Sequence, residues 1–191
     1  MIAAEQSQST WEESLGRQLA GVATLAVGVV NGSSQPISGT AWQAASAAMM
    51  RAVANTDRLA RLLTVRIDGL REPGPAVLRR PSSTPHPKRS PLGDWYETVI
   101  HPATPSVASI RCEFVTLLAS LRRQFQFLLV DAGPVDRASA IAPYLDACYL
   151  ILGPQACAST RWLRAQVDAL RAHGVHLEGT LIAEFEAVDA T

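Results

Sequence analysis

The sequence predicts an α/β fold, a doubly wound, mostly parallel sheet with helices on both faces. Three observations carry that prediction. Several short apolar runs lack the polar alternation of a half-exposed strand, as strands covered on both faces do. Segments of helical periodicity lie between those runs, and strands alternating with helices build parallel sheets. At 191 residues, 48% hydrophobic and 18% charged, the chain suits one domain around one core.

Thr10 before Trp11, Glu12 and Glu13 reads as an N-cap with acids in the first turn, opening a helix over residues 10–21 that Gly21 closes. Ala23 to Val30 (ATLAVGVV) is a buried strand, and NGSSQPISG after it is dense in turn residues. Ala41 to Val53 is made of good helix formers and runs toward Leu62, with Asn55, Thr56 and Asp57 as an interruption. Leu63 to Ile67 is the second strand. Residues 72–105 hold eight of the chain's twelve prolines and predict a long loop, with one short helix over Leu92 to Ile100. Ile110 to Phe125 has the periodicity of a surface helix, with Phe114, Leu117, Leu118 and Leu121 on one face. Phe127 to Val130 and Ala147 to Leu152 are strands. Thr160 to His173 is an amphipathic helix closed by Gly174, and Gly179 to Ile182 is the last strand.

Composition excludes several classes of function. Seventeen basic residues balance seventeen acidic ones, so no net field draws the chain to nucleic acid. Three cysteines, Cys112, Cys148 and Cys157, have neither zinc spacing nor a closed disulfide pairing, which favours a reducing cytoplasm. The first basic residue is Arg17, behind Glu5, Glu12 and Glu13, which is not the pattern of a signal peptide. The apolar runs fall short of the roughly 20 residues that a membrane span needs, so no direct insertion is expected.

Two stretches resemble a known family. FQFLLVDAGPVDRASAIAPYLDACYLILGPQACASTRWLRAQVDALRAHGVHLEGTLIA is similar to the C-terminal half of the bacterial tyrosine kinases and their MinD/ParA-type P-loop relatives, which run apolar strand, Asp-x-Pro-Pro, helix start, strand, helix, Gly-Val turn and strand. LLTVRIDGLREPG resembles their second-strand signature, Asp-x-Asp-x-Arg-x-Pro. VATLAVGVVNGSSQPISGTAWQAASAAMMRAVA sits where they carry strand, Walker A loop and first helix. The resemblance spans nearly all residues after Ala20 and implies a P-loop NTPase-like domain over residues 1–191.

A working P-loop is G-x-x-x-x-G-K-[ST], in which backbone amides cradle phosphates, the lysine reaches the β- and γ-phosphates and the hydroxyl holds magnesium. The matching residues here are Pro36, Ile37, Ser38, Gly39, Thr40 and Ala41. Gly39 keeps the glycine, Thr40 stands for the lysine and Ala41 for the magnesium-binding hydroxyl. Lys88 is the chain's only lysine, far from that turn. Asp68 matches the first aspartate of Asp-x-Asp, whose second aspartate is absent. Asp131 matches the Walker B aspartate, with Gly133 in place of the first proline of Asp-x-Pro-Pro. The family's adenine-reading Asn falls on Ala183, and no tyrosine-rich tail follows. Pro36, Gly39, Thr40, Ala41, Asp68 and Asp131 are thus vestigial nucleotide-binding positions, with no catalytic residue and no metal ligand among them. A purely structural role is open for Asp68 and Asp131, which can cap a helix or bond loop amides.

The resemblance implies a degenerate member, a pseudo-kinase or pseudo-ATPase kept for its binding surfaces in exopolysaccharide or capsule biosynthesis or export. Weak or no binding of ATP and magnesium is expected, and no other cofactor. Expected partners are an active kinase, a membrane polysaccharide co-polymerase or a second copy, with no nucleic acid. The expected location is the cytoplasm, peripheral to the inner face of the membrane through a partner. Two alternatives stand beside it: a MinD/ParA-like positioning protein of a secretion, pilus or division system, and an active tyrosine autokinase with an atypical P-loop.

Overall fold

The computed structural model describes residues 15, 18, 22–32, 39–57, 60–67, 86–101, 106–152 and 160–182. The strands are β1 (Leu25–Asn31), β2 (Leu62–Ile67), β3 (Lys88–Arg89), β4 (Tyr96–Ile100), β5 (Phe127–Pro134), β6 (Ala147–Leu152) and β7 (Leu177–Ile182). The helices are α1 (Gly39–Thr56), α2 (Val107–Leu121), the single turn α3 (Val135–Ala138) and α4 (Thr160–Ala172), with a 3-10 turn at Ala142–Tyr144. The seven strands form one sheet in the order β3-β4-β2-β5-β1-β6-β7. Every pairing is parallel except β3 with β4.

Each face of the sheet has its own core. Val27, Val29, Phe127, Leu129, Tyr149 and Ile151 pack on one side with Trp42, Met49, Met50 and Val53 of α1. Ala26, Val30, Leu128, Val130, Leu150 and Leu152 face Ile110, Phe114, Leu118 and Leu121 of α2 and Leu170 of α4 on the other. Both faces are covered, which is why β1 and β6 read as unbroken apolar runs: all six residues of β6 are buried. The close approach of β1 to β6 requires glycine at position 28, where a Cβ would lie 2.6 Å from Leu145 Cδ1 and 2.7 Å from Cys148 Sγ.

The five strands expected from the apolar runs lie in the sheet in parallel, with ends shifted by up to a few residues. α1 stops at Thr56, within the interruption read at Asn55 to Asp57. Ser106 caps α2 by accepting from Ser109 N at 3.2 Å. Of the expected N-terminal helix, Leu15 and Gln18 are helical; the rest of it, and residues 68–85 of the proline-rich stretch, lie outside the described residues.

One expectation is corrected. Leu92 to Ile100 is not a short helix: its second half is β4, parallel to β2, and β3 pairs with it from within the same proline-rich stretch. Tyr96, Thr98, Val99 and Ile100 are strand formers, and the flank of β2 supplies a ladder for them. Pro87 and Pro91 border β3 at the sheet edge, where a missing N–H is tolerated. Before β4, a Cβ on Gly93 would fall 1.9 Å from the buried ring of Trp95, so the turn there needs glycine.

Candidate functional site

Parallel strands aligned in this way place all their carboxyl ends on one edge. From β1 the chain crosses to β2 on one side of β5, and from β5 it crosses to β6 on the other side of β1. The connections therefore diverge between β1 and β5, and doubly wound sheets bind ligands in the crevice at such a point. β1 ends there at Asn31, followed by buried Gly32, and α1 opens from the same edge at Gly39. Thr40 and Ala41 belong to the first turn of that helix. Pro36 and Asp68 lie outside the described residues.

Asp131 lies in the carboxyl-terminal half of β5, near this edge. Its Cα pairs with Val29 of β1 on one side and with Arg66 of β2 on the other. Beyond it the register shifts: Val29 faces Asp131 while Val30 faces Gly133, so Ala132 is an extra residue in β5. Such a bulge bends its strand and re-aims the side chains beside it. The carboxylate is 4% exposed, and its Oδ1 accepts the Gly133 N–H at 3.1 Å. Gly133 has φ 73°, a conformation that glycine adopts without strain.

Arg66 is a charge set within an apolar strand. It is the exposed residue of β2, in register with Asp131. Leu63, Val65 and Ile67 face α2, so alternation turns Arg66 toward the α1 side, the side that Leu129 and hence Asp131 share. A charge inside the apolar run LLTVRI is visible in the sequence; its neighbour depends on register and is not.

Other titratable side chains lie away from this edge. His173 Nδ1 is 2.7 Å from the Ala169 carbonyl oxygen at the end of α4. His176 sits at the amino edge of the sheet, with Nδ1 3.2 Å from the Asp146 carbonyl oxygen and Nε2 3.4 Å from Glu178 Oε1. Cys148 is buried between β1 and the Ala142–Tyr144 turn, and burial pushes its thiol up to about 12. Trp42, Met49 and Met50 pack in the core, as their helical spacing suggests.

No protein-family model matches the chain, and no curated protein does. Solved structures do. The kinase domain of the Escherichia coli tyrosine kinase ETK is similar over 97% of this chain and 77% of its own, with 14% identity and a TM-score of 0.66. The VpsO kinase domain is similar over 97% of this chain and all of its own, with 14% identity and a TM-score of 0.62. The chimerical protein CapA2B2 is similar over 91% of this chain and 82% of its own, again with 14% identity, at a TM-score of 0.61. Strand order, parallel pairing and these likenesses together assign the chain the P-loop NTPase-like fold of bacterial tyrosine kinase domains.

Proposed function

We propose that this chain is a non-catalytic relative of those kinases, a pseudo-kinase that regulates or scaffolds bacterial exopolysaccharide or capsule biosynthesis by contact. One observation carries the reading: the helix that leaves the carboxyl edge begins Gly39-Thr40-Ala41, with threonine in the place of the phosphate-binding lysine and alanine in the place of the magnesium-binding hydroxyl. Arg66 pairs with Asp131 in strand register, but a planar guanidinium fork does not take the place of an ammonium wrapped by a tight loop. One oxygen of the Asp131 carboxylate, Oδ1, receives the amide of its own turn. Among the described residues no helix is long and apolar enough to cross a membrane, and a membrane role would come through a partner.

That partner is a working kinase or a membrane polysaccharide co-polymerase, a degenerate copy being most useful beside an active one. The contact is expected to involve the residues from Ser33 to Thr40 and from Arg79 to Arg89, most of which lie outside the described residues. Calorimetry with MgATP tests the catalytic half of the reading: the wild-type chain shows no turnover and weak or no binding, and a Thr40→Lys plus Ala41→Ser variant gains affinity. Tight wild-type binding with hydrolysis or autophosphorylation would replace this reading with that of an atypical autokinase. Co-purification from the native host, with and without Arg79→Glu plus Arg80→Glu, tests the partner half. A chain that stays monomeric and retains nothing refutes it, and a division, pilus or secretion protein in the eluate favours the MinD/ParA-like alternative.

A further inference from the structure

We infer that Asp131 is a positioning residue that staples the corner between β5 and α3, so that the segment from Val135 to Ala142 holds one conformation with or without nucleotide or divalent cation. This rests on the non-catalytic reading of the carboxyl edge and says what became of its most buried carboxylate. The Oδ1 of Asp131 accepts the Gly133 N–H two residues on, closing the turn within itself. Proline at position 133 is impossible here for two independent reasons: it has no N–H to donate, and its ring fixes φ near −65° against the 73° of Gly133. The Asp-x-Gly-Pro sequence of this chain therefore follows a path that Asp-x-Pro-Pro cannot take.

The corner is anchored on its far side as well. Ala132, the extra residue of the bulge, is fully buried in the α2-side core. Val135, Ala138, Ala140, Ile141 and Ala142 join the same core, the Ala140 and Ile141 amides bond within the segment, and those of Tyr144 and Leu145 donate to its Ile141 and Ala142 carbonyls. Apolar burial and internal hydrogen bonds thus hold the stretch that leaves the crevice, and no ligand is needed to order it. A ligand shifts a segment only through its differential affinity for two conformations, and burial in the core favours one conformation of this segment.

Amide hydrogen exchange on the full chain tests the inference, read across residues 131–142 in the absence and presence of Mn2+ and of MgATP. Exchange there is expected to be slow and unchanged by either addition. Asp131→Asn keeps an oxygen for the Gly133 amide and should preserve the protection, whereas Asp131→Ala should speed exchange at Gly133 and its neighbours by about tenfold. Protection that rises with Mn2+ or MgATP overturns the inference, as does Asp131→Asn exchanging as fast as Asp131→Ala. If Asp131→Ala does not fold, the Asn variant decides alone: wild-type protection supports the staple, and its loss refutes it. ATP turnover by the wild-type chain would refute the non-catalytic reading, a result distinct from either exchange outcome.

Discussion

Two aspartates mark opposite edges of the sheet, and they are held in opposite ways. Asp146, at the amino edge, ties together residues remote in sequence. Its Oδ2 accepts the Ala26 N–H at 2.7 Å, its own N–H donates to the Ala26 carbonyl at 2.9 Å, and its Oδ1 receives Arg122 at 3.0 Å. Asp131, at the carboxyl edge, serves a residue two positions away. The amino edge is thus a long-range latch among β1, β6 and the end of α2, whereas the hydrogen bond from Gly133 to Asp131 closes a local turn. Damage to the first should be felt by the whole fold and damage to the second by the corner alone, unless the backbone itself is forced.

The largest expected effect comes from forcing it. Gly133→Pro removes a donor and demands an inaccessible φ, so it should cost about 3 kcal/mol or more, measured by urea denaturation. A cost below about 1 kcal/mol would mean that the corner tolerates the other path. Asp146→Ala comes next: it leaves the N–H of fully buried Ala26 without an acceptor, and about 1–3 kcal/mol of stability should go, with slower exchange lost across both β1 and β6. Changes confined to Asp146's own neighbours would break the comparison.

Alkaline titration sharpens it at the amino edge. The Cys148 thiol is raised from 9.0 to about 12 chiefly by burial, against a smaller opposing hydrogen bond with Gly28. Because the folded state holds this proton more tightly than the unfolded state, stability is intact below about pH 9 and falls as pH rises from there toward 12. Cys148→Ala should flatten that decline in thermal melts. The smallest effect belongs to Arg122→Gln: its pair with Asp146 is partly exposed on both sides, so after screening about 0.5 kcal/mol is expected and should shrink further in high salt.

The legible parts of the molecule were those where one physical rule dominates. β6 and the core of β1 could be read because strands buried on both faces are simply apolar, and α2 because Phe114, Leu118 and Leu121 recur at helical spacing. β4 was hidden because its neighbourhood is full of proline, and what makes it a strand is the free flank of β2, more than thirty residues away by the Leu63–Tyr96 register. Of the candidate positions, Asp131 and the glycine two residues on could be named from the sequence. What the glycine does could not, since its positive φ and the bulge at Ala132 arise only when β5 is laid against β1. Arg66 was out of reach for the same reason, because it becomes a neighbour of Asp131 only through strand register.

The strand order also sets a timetable for synthesis. β1 is made early, yet both of its neighbours, β5 and β6, come about a hundred residues later, from Phe127 and Ala147 onward. At roughly 5–20 residues per second, the apolar run LAVGVV would wait on the order of 5–20 s on the ribosome before any partner strand emerged. Until then its whole length is an unpaired edge, open to the wrong strand. For this chain the hazardous interval is nascent life rather than the finished fold, and a chaperone that binds short apolar segments would find its substrate at Leu25–Asn31.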